Sequence, residues 1–181
     1  MRLTQILSPN PPQQDLIATH PNWTRADFNR AVFHLSGRLK QAGVQTAALW
    51  FDDAALFACA VLAVWHSGGR VLLLPNLARD NLDWGRTADV FLTDSEDLQS
   101  KLDSQTEQRD ESGQPLDVQP NPPVWHLPDL LTHTSPENSP PAPENHLIPD
   151  HAEAWLKTSG SSGEAQIIVK TAAQMQAEAL T

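Results

Sequence analysis

The chain holds a single cysteine among 181 residues, so no disulfide can form within it. That residue, Cys59, lies inside an apolar run and reads as a small core side chain, since no sequence neighbour marks a base that would make its thiol a nucleophile. Basic residues are also scarce: 12 Lys and Arg stand against 22 Asp and Glu, a formal net charge of -10. This balance lacks the cationic face that neutralises phosphates in nucleic-acid binding, and it argues equally against anionic membrane surfaces. Self-repulsion of this size suits a soluble protein. Long apolar runs are absent too. The longest, Ala54 to Trp65, falls short of the roughly 18 residues of a membrane span. The opening MRLTQILSPNPPQQ has no basic region followed by an apolar stretch, so no signal peptide is expected. A cytoplasmic protein without a membrane span is the expectation. The histidines are scattered, and no pair shows metal spacing on an expected helix, so no metal site is assigned.

What is present has a clear order. Residues 1–22, with four prolines, read as an extended lead-in. Thr24, followed by Asp27 three residues on, marks a helix start, and Phe28, Ala31, Val32, Leu35 and Leu39 recur at helical spacing up to a stop at Gly43. Thr46–Phe51 reads as a buried strand, and Asp52 or Asp53 is placed to cap an apolar helix over Ala54–His66. That helix, apolar nearly all round, must be covered on most sides. Arg70–Leu74 and Val90–Thr93 read as further strands, with a polar helical stretch near Ala78–Arg86 between them. Strands that are continuously apolar and alternate with helices predict an α/β fold with a parallel sheet over 23–94.

Residues 95–150 differ. They carry ten of the fifteen prolines with many Ser, Asp, Glu, Gln and Asn, broken by apolar islands such as VWHLPDLL. This composition predicts a long, largely irregular Pro-rich insert; a docking segment for a partner is the other reading, though no PxxP sits beside a basic residue. Order is expected again over 151–181, as a strand Ala154–Thr158, a small-residue loop, a strand Gln166–Thr171, and a helix opening at Ala172.

The loop carries the chemistry. Thr158-Ser159-Gly160-Ser161-Ser162-Gly163 follows a strand directly and combines two glycines with four hydroxyl residues. Glycines let backbone N–H groups turn toward a ligand, and the hydroxyls add donors, a concavity suited to phosphate oxygens. It is not a Walker A loop, because no lysine follows Gly163, and G-x-G-x-x-G is absent. A flexible Ser/Gly linker or an expression-tag scar is the plain alternative, but the flanking strands WLKT and IIVKT frame it as part of a fold.

Thr158–Gly163 resembles the phosphate-binding loop of adenylate-forming enzymes, the acyl-CoA synthetase and ligase family. The family pattern runs Thr/Ser, Ser/Gly, Gly, Ser/Thr, Ser/Thr, Gly, any residue, Pro, Lys. The upstream helix, TAALWF, LFACAVLAVWHSGG and RVLLLPN also resemble the family's opening. Two positions depart: the family's Pro-Lys is Ala165-Gln166, so the loop's cation is missing, and Lys157 and Lys170 are the nearby lysines. The resemblance implies an N-terminal fragment of a ligase that activates a carboxylic acid with ATP and Mg2+. The acid attacks the α-phosphate to give an acyl-adenylate, and the thiol of CoA or of a carrier protein then takes the acyl group. Thr158, Ser159, Gly160, Ser161, Ser162 and Gly163 would hold the phosphates. The family's later motifs, including its metal-binding glutamate and C-terminal catalytic lysine, do not occur in these residues, so a truncated chain, inactive alone and completed by a missing C-terminal part, is expected. A degenerate, non-catalytic fragment that acts by interaction is the alternative.

Overall fold

The computed structural model describes residues 3, 6–7, 16–19, 22–106, 120–132, 146–158 and 165–179. Near the N-terminus, strands β1 (Leu16–Thr19) and β2 (Asn22–Thr24) pair antiparallel. Helix α1 (Arg25–Gln41) then starts on the expected capping box: Thr24 Oγ1 accepts the Asp27 N–H, and the Asp27 carboxylate accepts the Thr24 N–H. Its apolar stripe, Phe28, Ala31, Val32, Leu35 and Leu39, is buried.

The remaining elements alternate. Strand β3 (Thr46–Trp50) leads to α2 (Ala54–Ser67), then β4 (Arg70–Leu73), α3 (Arg79–Gly85), β5 (Val90–Thr93), α4 (Leu98–Thr106), β6 (Val124–His126) and α5 (Leu127–Thr132). The hairpin β7 (Glu153–Thr158) and β8 (Gln166–Thr171) follows, then α6 (Ala172–Glu178). Of the two candidate caps for α2, Asp53 is the one used: its Oδ1 accepts the N–H groups of Ala55 and Leu56, both at 2.8 Å. Gly68 ends α2 at φ 92°, a left-handed position that glycine adopts without steric cost.

The main sheet has six strands in the order β6-β5-β3-β4-β7-β8. All neighbours are parallel except β7 and β8. The expected parallel arrangement of TAALW, RVLL and VFLT is thus what forms. Alternate residues serve opposite faces, as a pleated strand requires. Ala47, Leu49, Val71, Val90 and Leu92 pack toward α1 and α2, together with Leu127 of α5 and Ala172 of α6. Ala48, Leu72 and Phe91 pack toward Leu82 of α3 and Leu98 and Leu102 of α4. Helices therefore cover both faces, which is why these strands are apolar on both sides.

Two stretches are more ordered than composition predicts. Within the lead-in, 16–19 forms a strand. Within 95–150, α4 buries Leu98 and Leu102 completely, and β6 joins β5 as a further parallel strand. The physical reason is local: the apolar islands LQSKL and VWHL supply enough burial to add a helix and a strand, which an average over a proline-rich segment conceals. Arg86 ties this segment to the sheet, donating through Nε to Asn121 at 2.9 Å and through Nη2 to the Leu102 carbonyl at 3.2 Å.

Candidate functional site

The order β4-β3-β5-β6 places the chain's reversal of direction between β3 and β5. In open α/β sheets the crevice beyond the carboxyl ends of the strands, at such a reversal, is where ligands bind. Here the two strand ends are strapped together. The Asp94 carboxylate, just past β5, accepts the Asp52 N–H at 3.0 and 3.2 Å and the Asp53 N–H at 2.8 Å. Beside it, His126 at the end of β6 sets Nε2 3.0 Å from the Asp94 carbonyl oxygen and Nδ1 2.9 Å from Asp129 Oδ2. An apolar cavity of about 480 Å³ opens near Asp53, between α1, α2 and β1.

Because β7 runs parallel to β4, its carboxyl end, and with it the start of the loop, lies at the same end of the sheet. Of the six residues expected to hold phosphate, Thr158 is described, and Ser159, Gly160, Ser161, Ser162 and Gly163 lie outside the described residues. Thr158 pairs with Gln166, and its hydroxyl donates to the Gln166 carbonyl at 3.3 Å. Directly opposed residues share a face. Thr158 and Gln166 therefore lie on the α1 and α2 side with Leu156, whereas Lys157 and Ile167 lie on the other side with Trp155.

This register decides what the neighbouring lysines do. Lys157 is next to the loop but on the face away from Gln166, and its Nζ donates to the Asp80 carbonyl at 2.8 Å. Lys170 pairs with Ala154, at the far end of the hairpin, and its Nζ meets both Glu178 carboxylate oxygens at 2.6 and 2.7 Å. In the described hairpin neither lysine occupies the place of Gln166.

Cys59 is fully buried, and burial pushes its thiol far up from the ordinary value. Its full burial among apolar side chains bears out the core reading of this residue. Among the described residues no group of three or more His, Cys, Asp or Glu is placed to hold a metal ion, and no helix is long and apolar enough to cross a membrane. The Asp94 strap and the His126–Asp129 pair had no signal in the sequence beyond a polar residue at a strand end.

No protein-family model matches the sequence, and no curated protein matches it either. Solved structures do. The chain is similar to an O-succinylbenzoate coenzyme A synthetase from Bacillus subtilis in complex with AMP: TM-score 0.63, 20% identity, 93% of this chain and 41% of that one. It is similar to the N-terminal domain of FACL13 from Mycobacterium tuberculosis, with TM-score 0.62 and 17% identity over 94% of this chain and 43% of that one. It is also similar to McyG A-PCP complexed with phenylalanyl-adenylate, with TM-score 0.60 and 18% identity over 95% of this chain and 32% of that one. The chain spans between about a third and two fifths of the length of these structures. Its fold is that of the N-terminal part of the adenylate-forming enzymes, the acyl-CoA synthetases and their relatives.

Proposed function

We propose that this chain is the N-terminal part of an ATP-dependent ligase that activates a carboxylic acid as its acyl-adenylate. The observation that carries the reading is the conjunction of that fold with a Thr-Ser-Gly-Ser-Ser-Gly stretch beginning at the carboxyl end of β7. In this reading Thr158, Ser159, Gly160, Ser161, Ser162 and Gly163 hold the ATP phosphates through hydroxyl and backbone N–H donors. Donors already aimed at the pyrophosphate stabilise the charge that grows on it as the acid attacks the α-phosphate. The thiol of CoA or of a carrier protein is the acyl acceptor.

One neighbour is a complex with ATP and magnesium ion, which supports ATP with Mg2+ as the nucleotide species. The described residues offer no cluster of metal ligands, so this reading assigns the magnesium ligands to residues other than those described. The same holds for the groups that contact adenine and acid. Residues 23–94 then supply the central strands of the sheet, 151–181 its hairpin and the loop, and 95–150 the connection that adds β6, with 1–22 leading in. A cytoplasmic location goes with the reading. On this account the 181-residue chain binds nucleotide phosphates but does not turn over.

The test is a titration of the chain with MgATP followed by 31P NMR. Broadening of the β- and γ-phosphate signals by the native chain, lost in Gly163→Val, supports the loop as the phosphate site. Equal broadening by both chains, or none by either, removes it and leaves the fragment reading, in which the chain acts by interaction alone.

A further inference from the structure

The hairpin that bears the loop outruns its neighbour in the sheet. The parallel ladder of β7 with β4 ends at Leu73↔Leu156, where β4 itself stops and Pro75 soon follows. Two further pairs, Lys157↔Ile167 and Thr158↔Gln166, continue the hairpin past that point and lead directly into the loop. A two-stranded ribbon is marginally stable by itself in water, so the direction in which it presents the loop depends on what it touches. Lys157 supplies a contact: its Nζ donates to the carbonyl of Asp80, in the first turn of α3, at 2.8 Å. Helix α3 is a fixed post. Its Leu82 is fully buried in the cluster of Leu72, Leu74 and Phe91. Arg86, at its end, donates to Asn121 and to the Leu102 carbonyl. A carbonyl oxygen has two lone pairs, so Asp80 accepts from Lys157 without giving up a helical bond, and the charge on Nζ strengthens the contact.

We propose that Lys157 is a positioning residue for the phosphate loop: it fastens the projecting ribbon to α3 and so presents the loop in one orientation, without touching the nucleotide itself. This rests on the phosphate reading of the loop given above. The face on which the lysine lies sets its role. Lys157 is on the α3 side of the sheet, opposite Thr158 and Gln166, and its ammonium reaches a helix that is anchored independently of the hairpin. A strut of this kind acts on affinity through preorganisation, because order already present in the free protein is not lost on binding. The lysine nearest the loop in sequence thus serves it through the fold, not as a replacement for the cation missing at Gln166.

MgATP titration of the 181-residue chain, followed by amide NMR, tests the proposal. Lys157→Met keeps the aliphatic stem and removes the donor, and should weaken binding roughly two- to tenfold, the equivalent of one hydrogen bond's net contribution. Lys157→Arg, whose guanidinium reaches the same carbonyl, should restore it. Asp80→Ala keeps the carbonyl and should match the native chain, as should Lys170→Met at the far end of the hairpin. The loss in Lys157→Met should persist at high salt, since the missing bond is to a neutral oxygen; a lysine in direct contact with phosphate would lose its advantage there. Without nucleotide, 15N relaxation should find the Thr158 and Gln166 amides more mobile in Lys157→Met than in the native chain. A native chain that does not respond to MgATP removes the phosphate reading and the lysine's role in binding with it. Where the native chain does respond, equal binding by Lys157→Met overturns the strut alone. So does a loss that Asp80→Ala shares or that high salt erases, and so do relaxation rates that Lys157→Met leaves unchanged.

Discussion

Replacing Asp94 with alanine should destabilise the protein more than any other single change at the carboxyl edge of the sheet. The Asp94 carboxylate receives two backbone N–H groups, from Asp52 at 3.0 and 3.2 Å and from Asp53 at 2.8 Å. Both belong to the turn between β3 and α2, where the chain leaves the sheet's centre. Hydrogen bonds to a charged acceptor contribute about 1.5–3 kcal/mol each. The Asp52 end is exposed, so water replaces that partner in part, and about 2–4 kcal/mol is the expected total. In a domain of this size each kcal/mol lowers Tm by roughly 2–4 °C. Asp94→Asn should cost less, about 1 kcal/mol. Its oxygen, set in the Oδ2 position, still accepts from both N–H groups, but its NH2 then confronts the Asp52 N–H. Urea denaturation of the three proteins, with unchanged m-values, measures this directly. A loss under 0.5 kcal/mol for Asp94→Ala, or an Asn variant worse than the Ala variant, would refute the reasoning.

Further expectations rest on other features. A Cβ added at Gly85 would lie 2.6 Å from the Phe91 ring, between the end of α3 and the core of β5, so Gly85→Ala should lower stability by about 1–3 kcal/mol, the usual cost of overpacking, read by the same denaturation. The Asp27 carboxyl is held below its ordinary value, first by the hydrogen bond from the Thr24 hydroxyl and also by Arg30, against the opposing effect of burial. A depressed carboxyl contributes stability above its unfolded value of about 3.9, and that contribution is lost as pH falls through the lower folded value. Asp27→Asn should therefore flatten the stability profile below about pH 4, as a pH series of melts would show. The chain alone should give no acid-dependent ATP–pyrophosphate exchange. Gln166→Lys, which puts a cation at the loop end of the hairpin, on the face opposite Lys157 and away from the far end where Lys170 sits, should tighten MgATP binding several-fold, since a charged donor contributes more than a neutral one.

The parallel sheet was legible in the sequence because burial on both faces leaves continuous apolar strands, and Thr46–Trp50, Arg70–Leu73 and Val90–Thr93 show that pattern without interruption. The cap at Thr24 was legible too, because it satisfies a local chemical need that few residue types meet. Helix α4 and strand β6 were not. Each is short, and the burial that holds it comes from a distant part of the chain, Leu98 and Leu102 against Phe91 and Leu82, which no local pattern reveals. The fates of Lys157 and Lys170 were unreadable too. Spacing alone left both beside the loop; only the register with β8 sends one to the opposite face and the other to the far end of the hairpin. Asp94 belongs in this group, because its donors lie more than forty residues away.

The central claim, that the loop after β7 is a phosphate site, is tested most directly by residue-resolved amide NMR of the labelled chain titrated with MgATP. The account predicts shifts concentrated on Thr158 to Gln166, saturating with nucleotide, reproduced by pyrophosphate and abolished in Gly163→Val. Shifts spread over the sheet, or confined to the cavity beside Asp53, with Thr158 to Gln166 unmoved, would contradict it.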